Sequence, residues 1–449
     1  MSLAETYRGM GGFLRIWAAQ LVSALGASLG GFSLGVWMFE QHHSTTQFAL
    51  MTFTGAVTSL VVGPVGGWTA DRWDRRRLLM VVNLVAALIT AFMIYLLYTH
   101  RMQPWHVYPL IALLVANGSL EVPALQASIT QLVPPEQLAR ANGMMQSSSA
   151  LAAILAPPLA GALLSVIGFH GLLSIDCVSF LLVIAVLWTT PIPSPSSGKA
   201  AQVSLRSGMA EGWRAIRAQQ GLTSLLVLLA FTTLSFGIVQ VLLTPLVLGF
   251  SSPRGLGTVN SLGAAGALSG ALLLSVWGGP RSKVKGILGA LLLQGCILLL
   301  GGLRPSVTLI AFATFVFMFA LPIGNGSNQA IWQRKIDPAI QGRVFGIRQM
   351  VISGAIPFAA LAAGPLADRV FEPLLARGGP LAPTFGRVLG VGPGRGVGLL
   401  LMVLGFVVIS ATVIAGFHPR LRRVESEENE SPEPASASPV DEVASLPGV

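Results

Sequence analysis

The sequence predicts an all-α membrane protein whose twelve transmembrane helices form two pseudo-symmetric six-helix bundles. Three observations carry that class. The 449-residue chain is 53% hydrophobic and only 10% charged, with a mean hydropathy of +0.71, more apolar than a soluble core requires. Apolar segments of twenty or more residues recur along its length, and about 20 helical residues cross a bilayer core. The second half also repeats features of the first. Backbone in lipid must satisfy its own hydrogen bonds, so these segments are helices, and the period-two alternation of a membrane barrel is absent.

Twelve segments stand out, at about 13–38, 46–70, 77–99, 106–130, 141–168, 171–190, 221–249, 255–279, 285–303, 306–333, 343–370 and 396–417. They divide the chain into an N-terminal bundle over 1–190, a linker over 191–220, a C-terminal bundle over 221–417 and a tail over 418–449. The linker opens with the Pro/Ser-rich "PIPSPSSGKAAQ" and continues as "LRSGMAEGWRAIRAQQ", a pattern for a short amphipathic helix on the membrane surface. After Arg423 the tail carries seven acids and no base, a composition that predicts disorder.

The net charge of +10 would suit a nucleic-acid binder, but its placement argues for topology instead. With the N-terminus in the cytoplasm, cytoplasmic segments hold 21 of the 28 lysines and arginines. That bias, on an even number of crossings, puts both termini on the cytoplasmic side. The first apolar segment is too long for a cleavable leader. Cys177 and Cys296 lie inside apolar segments without a metal-ligand partner nearby in sequence, so they read as packing residues.

An internal repeat relates the halves. "QLVPPEQLARANGMMQ" (131–146) aligns with "RKIDPAIQGRVFGIRQ" (334–349), and Gln126 falls on Gln329 at the same offset of 203. A six-plus-six repeat is what a rocking transporter needs, its site lying between the halves near the midplane.

Charge concentrates in "GGWTADRWDRRRLLMVVNL" (66–84), where six of the seven positions 71–77 are charged. With twelve spans and two related halves, this hairpin makes the chain resemble the major facilitator superfamily over about residues 13–417. That family's signature between helices 2 and 3, Gly-x3-Asp-(Arg/Lys)-x-Gly-x-(Arg/Lys)-(Arg/Lys), is met by Gly67, Asp71, Arg72, Arg76 and Arg77. Arg75 adds a base, and Asp74 replaces the second glycine. The "ADRWDRRRLL" form is similar to the branch holding the enterobactin exporter and related efflux proteins. The "GPLADRVFEPL…GVGPGRGVGLL" region looks like exporters of nonribosomal-peptide pathways.

The resemblance implies a bacterial inner-membrane exporter. It also implies a conformational gate in which Asp71 faces the N-terminus of segment 11 near Arg343, with Arg140 at the related position of the first half. The arginines would anchor the hairpin in the anionic interface at about 1 kcal/mol each. "GPLADR" (364–369) repeats the Gly-x3-Asp-Arg spacing but falls at the outer end of segment 11, so Asp368 and Arg369 read as an outer-mouth pair.

Of the eleven acids outside the tail, only Glu121 and Asp176 lie well inside spans. A carboxylate there is costly unless protonated, paired or wetted, which suits Glu121 to proton coupling or a cationic substrate. Asp176 lies nearer the outer end of segment 6, where a structural hydrogen bond is expected. The family lines its cavity with helices 1, 4, 7 and 10, so the cavity candidates are Gln20, Ser23, Asn117, Gln240, Asn325 and Asn328. Pro157, Pro158 and Gly161 echo the Gly-Pro-x-x-Gly element of antiporters and predict a bend in segment 5. The arginine that many drug-proton antiporters carry on helix 4 is missing, which shifts any relay to Glu121.

No HExxH, GxSxG or Walker loop is present, so neither enzymatic chemistry nor ATP hydrolysis is expected. The expected function is proton-antiport export of a small amphipathic molecule such as a siderophore, nonribosomal peptide or drug, by a monomer with no cofactor or metal. The alternatives are a solute importer and a nontransporting membrane protein.

Overall fold

The computed structural model describes residues 10–134, 137–192, 213–219, 221–336 and 340–419, with a few helical side chains in these ranges left undescribed. The first helices are α1 (Gly11–His42), α2 (Thr45–Arg72), α3 (Arg75–Tyr98) and α4 (Pro104–Leu132). Next comes a 52-residue helical stretch, Leu138–Thr189. At about 1.5 Å per residue it would be more than twice as long as a bilayer core is thick. Gly168 breaks it, with φ 65° and ψ −175°, a conformation open only to glycine. The arms before and after Gly168 are α5 and α6. The remaining spans are α7 (Leu222–Leu248), α8 (Pro253–Trp277), α9 (Lys283–Gly302), α10 (Val307–Lys335), α11 (Gln341–Pro365) and α12 (Arg395–Phe417). Among the described residues, eleven helices are long and apolar enough to cross a membrane, and the bent one supplies two crossings.

Local chemistry sets the ends. Pro104 and Pro253 occupy first-turn positions of α4 and α8, where the missing N–H costs nothing. Ser44, Asp74, Ser282 and Ser306 each accept a hydrogen bond from the amide three residues on, capping α2, α3, α9 and α10. After Pro365, α11 passes into a π-helical turn, Leu366–Phe371, and a short helix, Glu372–Leu375. Such turns recur at functional positions.

An even number of crossings separates Gly11 from Phe417, so both lie on one face of the bundle, here the terminal face; the opposite side is the far face. Helices approach closely through glycine: the Phe315 and Phe319 backbones of α10 lie against Gly266 and Gly270 of α8. Of the linker, residues 213–218 are helical. Ile216 is fully buried in a cluster with Leu222, Leu225, Val284 and Trp332, so this turn packs on α7, α9 and α10. The 193–212 stretch and the 420–449 tail lie outside the described residues.

Candidate functional site

Glu121 sits mid-helix on α4 and ties three helices together. Its Oε1 accepts from Gln20 Nε2 of α1 at 3.2 Å and from Asn83 Nδ2 of α3 at 3.1 Å. Asn83 is buried, and its Oδ1 has no hydrogen-bond partner. One amide therefore serves both forms of the carboxyl: its N–H donates to the carboxylate, and its Oδ1, if rotated in, accepts from the protonated acid. The sequence candidates were drawn from helices 1, 4, 7 and 10, so Asn83 on segment 3 is not among them; a lone asparagine in an apolar segment was the available signal.

The other candidates divide. Asn117 is buried and donates to the Val82 carbonyl at 2.7 Å, so it joins α4 to α3 rather than facing a cavity. Ser23 is buried on α1. Gln240 and Asn325 are exposed. Asn328 is buried and its Oδ1 unpartnered. Asn325 and Asn328 share a cavity of about 500 Å³ between α7, α9, α10 and α11, together with Gln329 and Arg348. Arg348 counted in the sequence as a topology arginine, yet it reaches Gln329 inside the bundle.

For Asp176 the structure corrects the expectation of a structural hydrogen bond. The residue is 6% exposed and its Oδ1 is buried without a partner. The Ser179 hydroxyl donates to the Asp176 backbone carbonyl. The carboxyl instead packs on the small face of α1, where a Cβ on Gly30 would lie 3.0 Å from Oδ2.

In the charged hairpin, Gly67, Asp71 and Arg72 close α2 and Arg343 opens α11, but their side chains, and with them the expected gate contact, lie outside the described residues. Asp74, which stands where the family has glycine, has φ −59° and accepts from the Arg77 amide at 2.8 Å. No left-handed turn is needed there, and the aspartate caps α3 instead. Arg75 donates to the Ala127 carbonyl of α4 at 2.9 Å, and Arg76 to the Leu187 and Trp188 carbonyls at the end of α6. Two of the arginines thus bind helix carboxyl ends, where the dipole favours cations, rather than reaching for lipid. Arg77 and Arg140 are exposed.

The far face holds the contacts between the halves. Asp368, in the π-turn after α11, accepts from Ser44 Oγ at 2.9 Å, Thr45 N at 3.1 Å and Thr46 N at 2.8 Å. These hydrogen bonds cap the first turn of α2 in the other half. Gly364, one turn earlier, lies against Thr46 and Ala49. A second seam joins α5 to α8. Pro158 has no N–H for the Ile154 carbonyl four residues back, and Ser261 Oγ of α8 donates to it at 2.7 Å. The Pro157 carbonyl lies against Gly257, and the Pro253 carbonyl against Gly161. Arg254 donates to Ser165 Oγ at 2.7 Å.

Among the described residues no group of three or more His, Cys, Asp or Glu could hold a metal ion.

Residues 16–361 match the profile of the Major Facilitator Superfamily. The chain is 25% identical over 365 residues to macrolide efflux protein A of Streptococcus pyogenes, covering 80% of this chain and 90% of that one. It is 24% identical to the multidrug efflux pump Tap of Mycolicibacterium fortuitum, covering 87% and 91%. In fold it is similar to a bacterial homologue of the human lysosomal transporter Spinster, solved inward-facing and unoccupied, with a TM-score of 0.69 at 16% identity over 96% of this chain and 100% of that one. The helical architecture, the bundle-spanning contacts and the extent of the profile match agree: this chain belongs to the Major Facilitator Superfamily and is a multi-pass membrane transporter rather than an enzyme.

Proposed function

We propose that the protein exports a small amphipathic organic molecule by alternating access, coupled to proton entry. The observation that carries this reading is the cross-half capping of α2 by Asp368, which ties 1–190 to 221–417 at the far face. With the positive-inside bias, both termini and the terminal face lie in the cytoplasm of a bacterium and the far face lies outside. The protein is then captured closed outside and ready to load from within. Two efflux relatives, one for macrolides and one for multiple drugs, support export and move the favoured substrates toward drug-like macrocycles. Siderophores and nonribosomal peptides remain in the class through the resemblance to the enterobactin-exporter branch.

Glu121 is the coupling carboxyl. The proton binds the Glu121 carboxylate where Gln20 and Asn83 converge, and the spare Asn83 Oδ1, rotated in, accepts the hydrogen bond of the protonated carboxyl. The Gly67–Arg77 hairpin forms the opposing gate, with Asp71 meeting α11 near Arg343 when the terminal face closes. The transporter works as a monomer.

Inverted membrane vesicles energised inside-acid and reported by a quenched pH dye provide the test. Adding a macrolide to wild type is expected to dequench the dye, and Glu121→Gln is expected not to. Equal dequenching in both discards Glu121 but keeps antiport. Macrolide uptake without dequenching in either removes proton coupling, and no uptake of any amphiphile removes export.

A further inference from the structure

Arg348 carries a guanidinium into the second half of the bundle. Arg348 is half-buried on α11, seven residues past Gln341, so about 10 Å along the helix axis. It lines the cavity of about 500 Å³ between α7, α9, α10 and α11. It donates to Gln329 Oε1, and its Nε is buried without a hydrogen-bond partner. No carboxylate lines the cavity among the described residues. A guanidinium keeps its charge at any physiological pH, and a cation at that depth without a counter-charge marks a functional position. Next to it Asn328 is 4% exposed, with an unpartnered Oδ1 that can take an N–H or O–H. Phe236, Leu291 and Ile352 supply apolar wall.

The volume suits a drug-sized ligand, and a few convergent polar groups on apolar walls are the usual make-up of such sites. We propose that this cavity binds the acidic head of an amphipathic organic anion, with Arg348 holding a carboxylate or phosphate and the apolar wall taking the tail. The inference rests on the export reading and deepens it by naming a substrate class. The planar fork of Arg348 matches either head group in two-point fashion, and an adjacent hydroxyl or amide on the ligand would reach Asn328.

The test uses the full chain in phosphatidylcholine nanodiscs with two fluorescent probes: dansyl-undecanoic acid, and the same dansyl tail ending in an amine. The acid probe is expected to bind wild type. Arg348→Gln is expected to weaken it at least tenfold and Arg348→Lys less, because the ammonium keeps the charge without the fork. The amine probe is expected to bind all three proteins alike. Equal acid-probe affinity in wild type and Arg348→Gln overturns the proposal, as does parallel loss of both probes.

Thr233→Cys, which leaves Arg348 in place, guards against misfolding of the arginine variants. Maleimide labelling at position 233, read by peptide mass, is expected to be blocked by the acid probe alone; protection by both probes or by neither overturns the site. Competition with dodecanoate and dodecyl phosphate then assigns the head group, and displacement by neither overturns it as well. Phosphatidylglycerol discs separate the two sources: unchanged binding assigns a soluble amphiphile, and competition that depends on Arg348 assigns a bilayer lipid. Binding is read without transport, so a vesicle result against export leaves this outcome distinguishable.

Discussion

The Asp368 carboxylate, at the end of α11, accepts a 2.8 Å hydrogen bond from the amide of Thr46, in the first turn of α2. The two residues are 322 positions apart and belong to opposite halves. The arrangement inverts the gate that the resemblance implies at the other face. In that implied gate, the aspartate four residues after Gly67 ends α2 and would face the start of α11; here, an aspartate at the end of α11, four residues after Gly364, faces the start of α2. An anion at a partly buried helix N-terminus is worth up to about 2 kcal/mol, and a contact made in one state biases the equilibrium by its own worth.

Asp368→Ala is therefore expected to shift the ratio of far-face-closed to far-face-open protein by roughly tenfold or more. Spin labels at the exposed positions Gln41 and Arg377 would report it by pulsed electron resonance as a new, longer distance. An unchanged distribution in well-folded protein would discard Asp368 as a latch.

The α5–α8 seam depends on the absence of a side chain at Gly257, where the Pro157 carbonyl comes close. Gly257→Val is expected to push the halves apart at this level and reduce transport severalfold while membrane insertion stays normal. Ser261→Ala strands the Ile154 carbonyl that Pro158 leaves free, and is expected to lower stability by about 1 kcal/mol. Transport by Gly257→Val at the wild-type rate would show that the seam does not constrain the motion.

Glu121 holds two side-chain donors from two other helices. Glu121→Leu leaves the Gln20 amide without this acceptor and leaves Asn83 Nδ2 with only the Leu79 carbonyl, at about 1–3 kcal/mol per lost bond, whereas Glu121→Gln keeps an acceptor for them. Thermal melts in detergent are expected to separate the two variants clearly, with leucine much the less stable. Equal melting temperatures would mean that Gln20 and Asn83 find other partners.

The arginines of the charged hairpin are not equivalent. Arg76→Ala removes the donors to the Leu187 and Trp188 carbonyls at the end of α6 and is expected to cost about 1–2 kcal/mol. Arg77 is exposed, so Arg77→Ala is expected to change stability by less than about 0.5 kcal/mol. Matching melts for both would assign the run to topology alone.

Spans were legible because each must be long, apolar and helical on its own account, which is a local property of the chain. Even the break between α5 and α6 follows from Gly168, since glycine tolerates the φ of 65° found there. Ser261 on Ile154, Arg348 on Gln329 and Asn83 on Glu121 were not legible. Each joins two different helices, Ser261 and Ile154 across 107 positions, and a polar residue inside a span looks the same whether it faces lipid, a neighbour or a cavity.

By itself, then, the sequence determined where the spans lie, the repeat that relates the halves, and the acids that enter the bundle. Only the tertiary structure decided what those charges meet. The "GPLADR" spacing placed Asp368 and Arg369 together at the outer mouth, and the fold sets the Asp368 carboxylate on the first turn of α2. Helix formation is settled by hydrogen bonds four residues apart, whereas a site is settled by which helix faces meet, and that depends on close packing along the whole bundle.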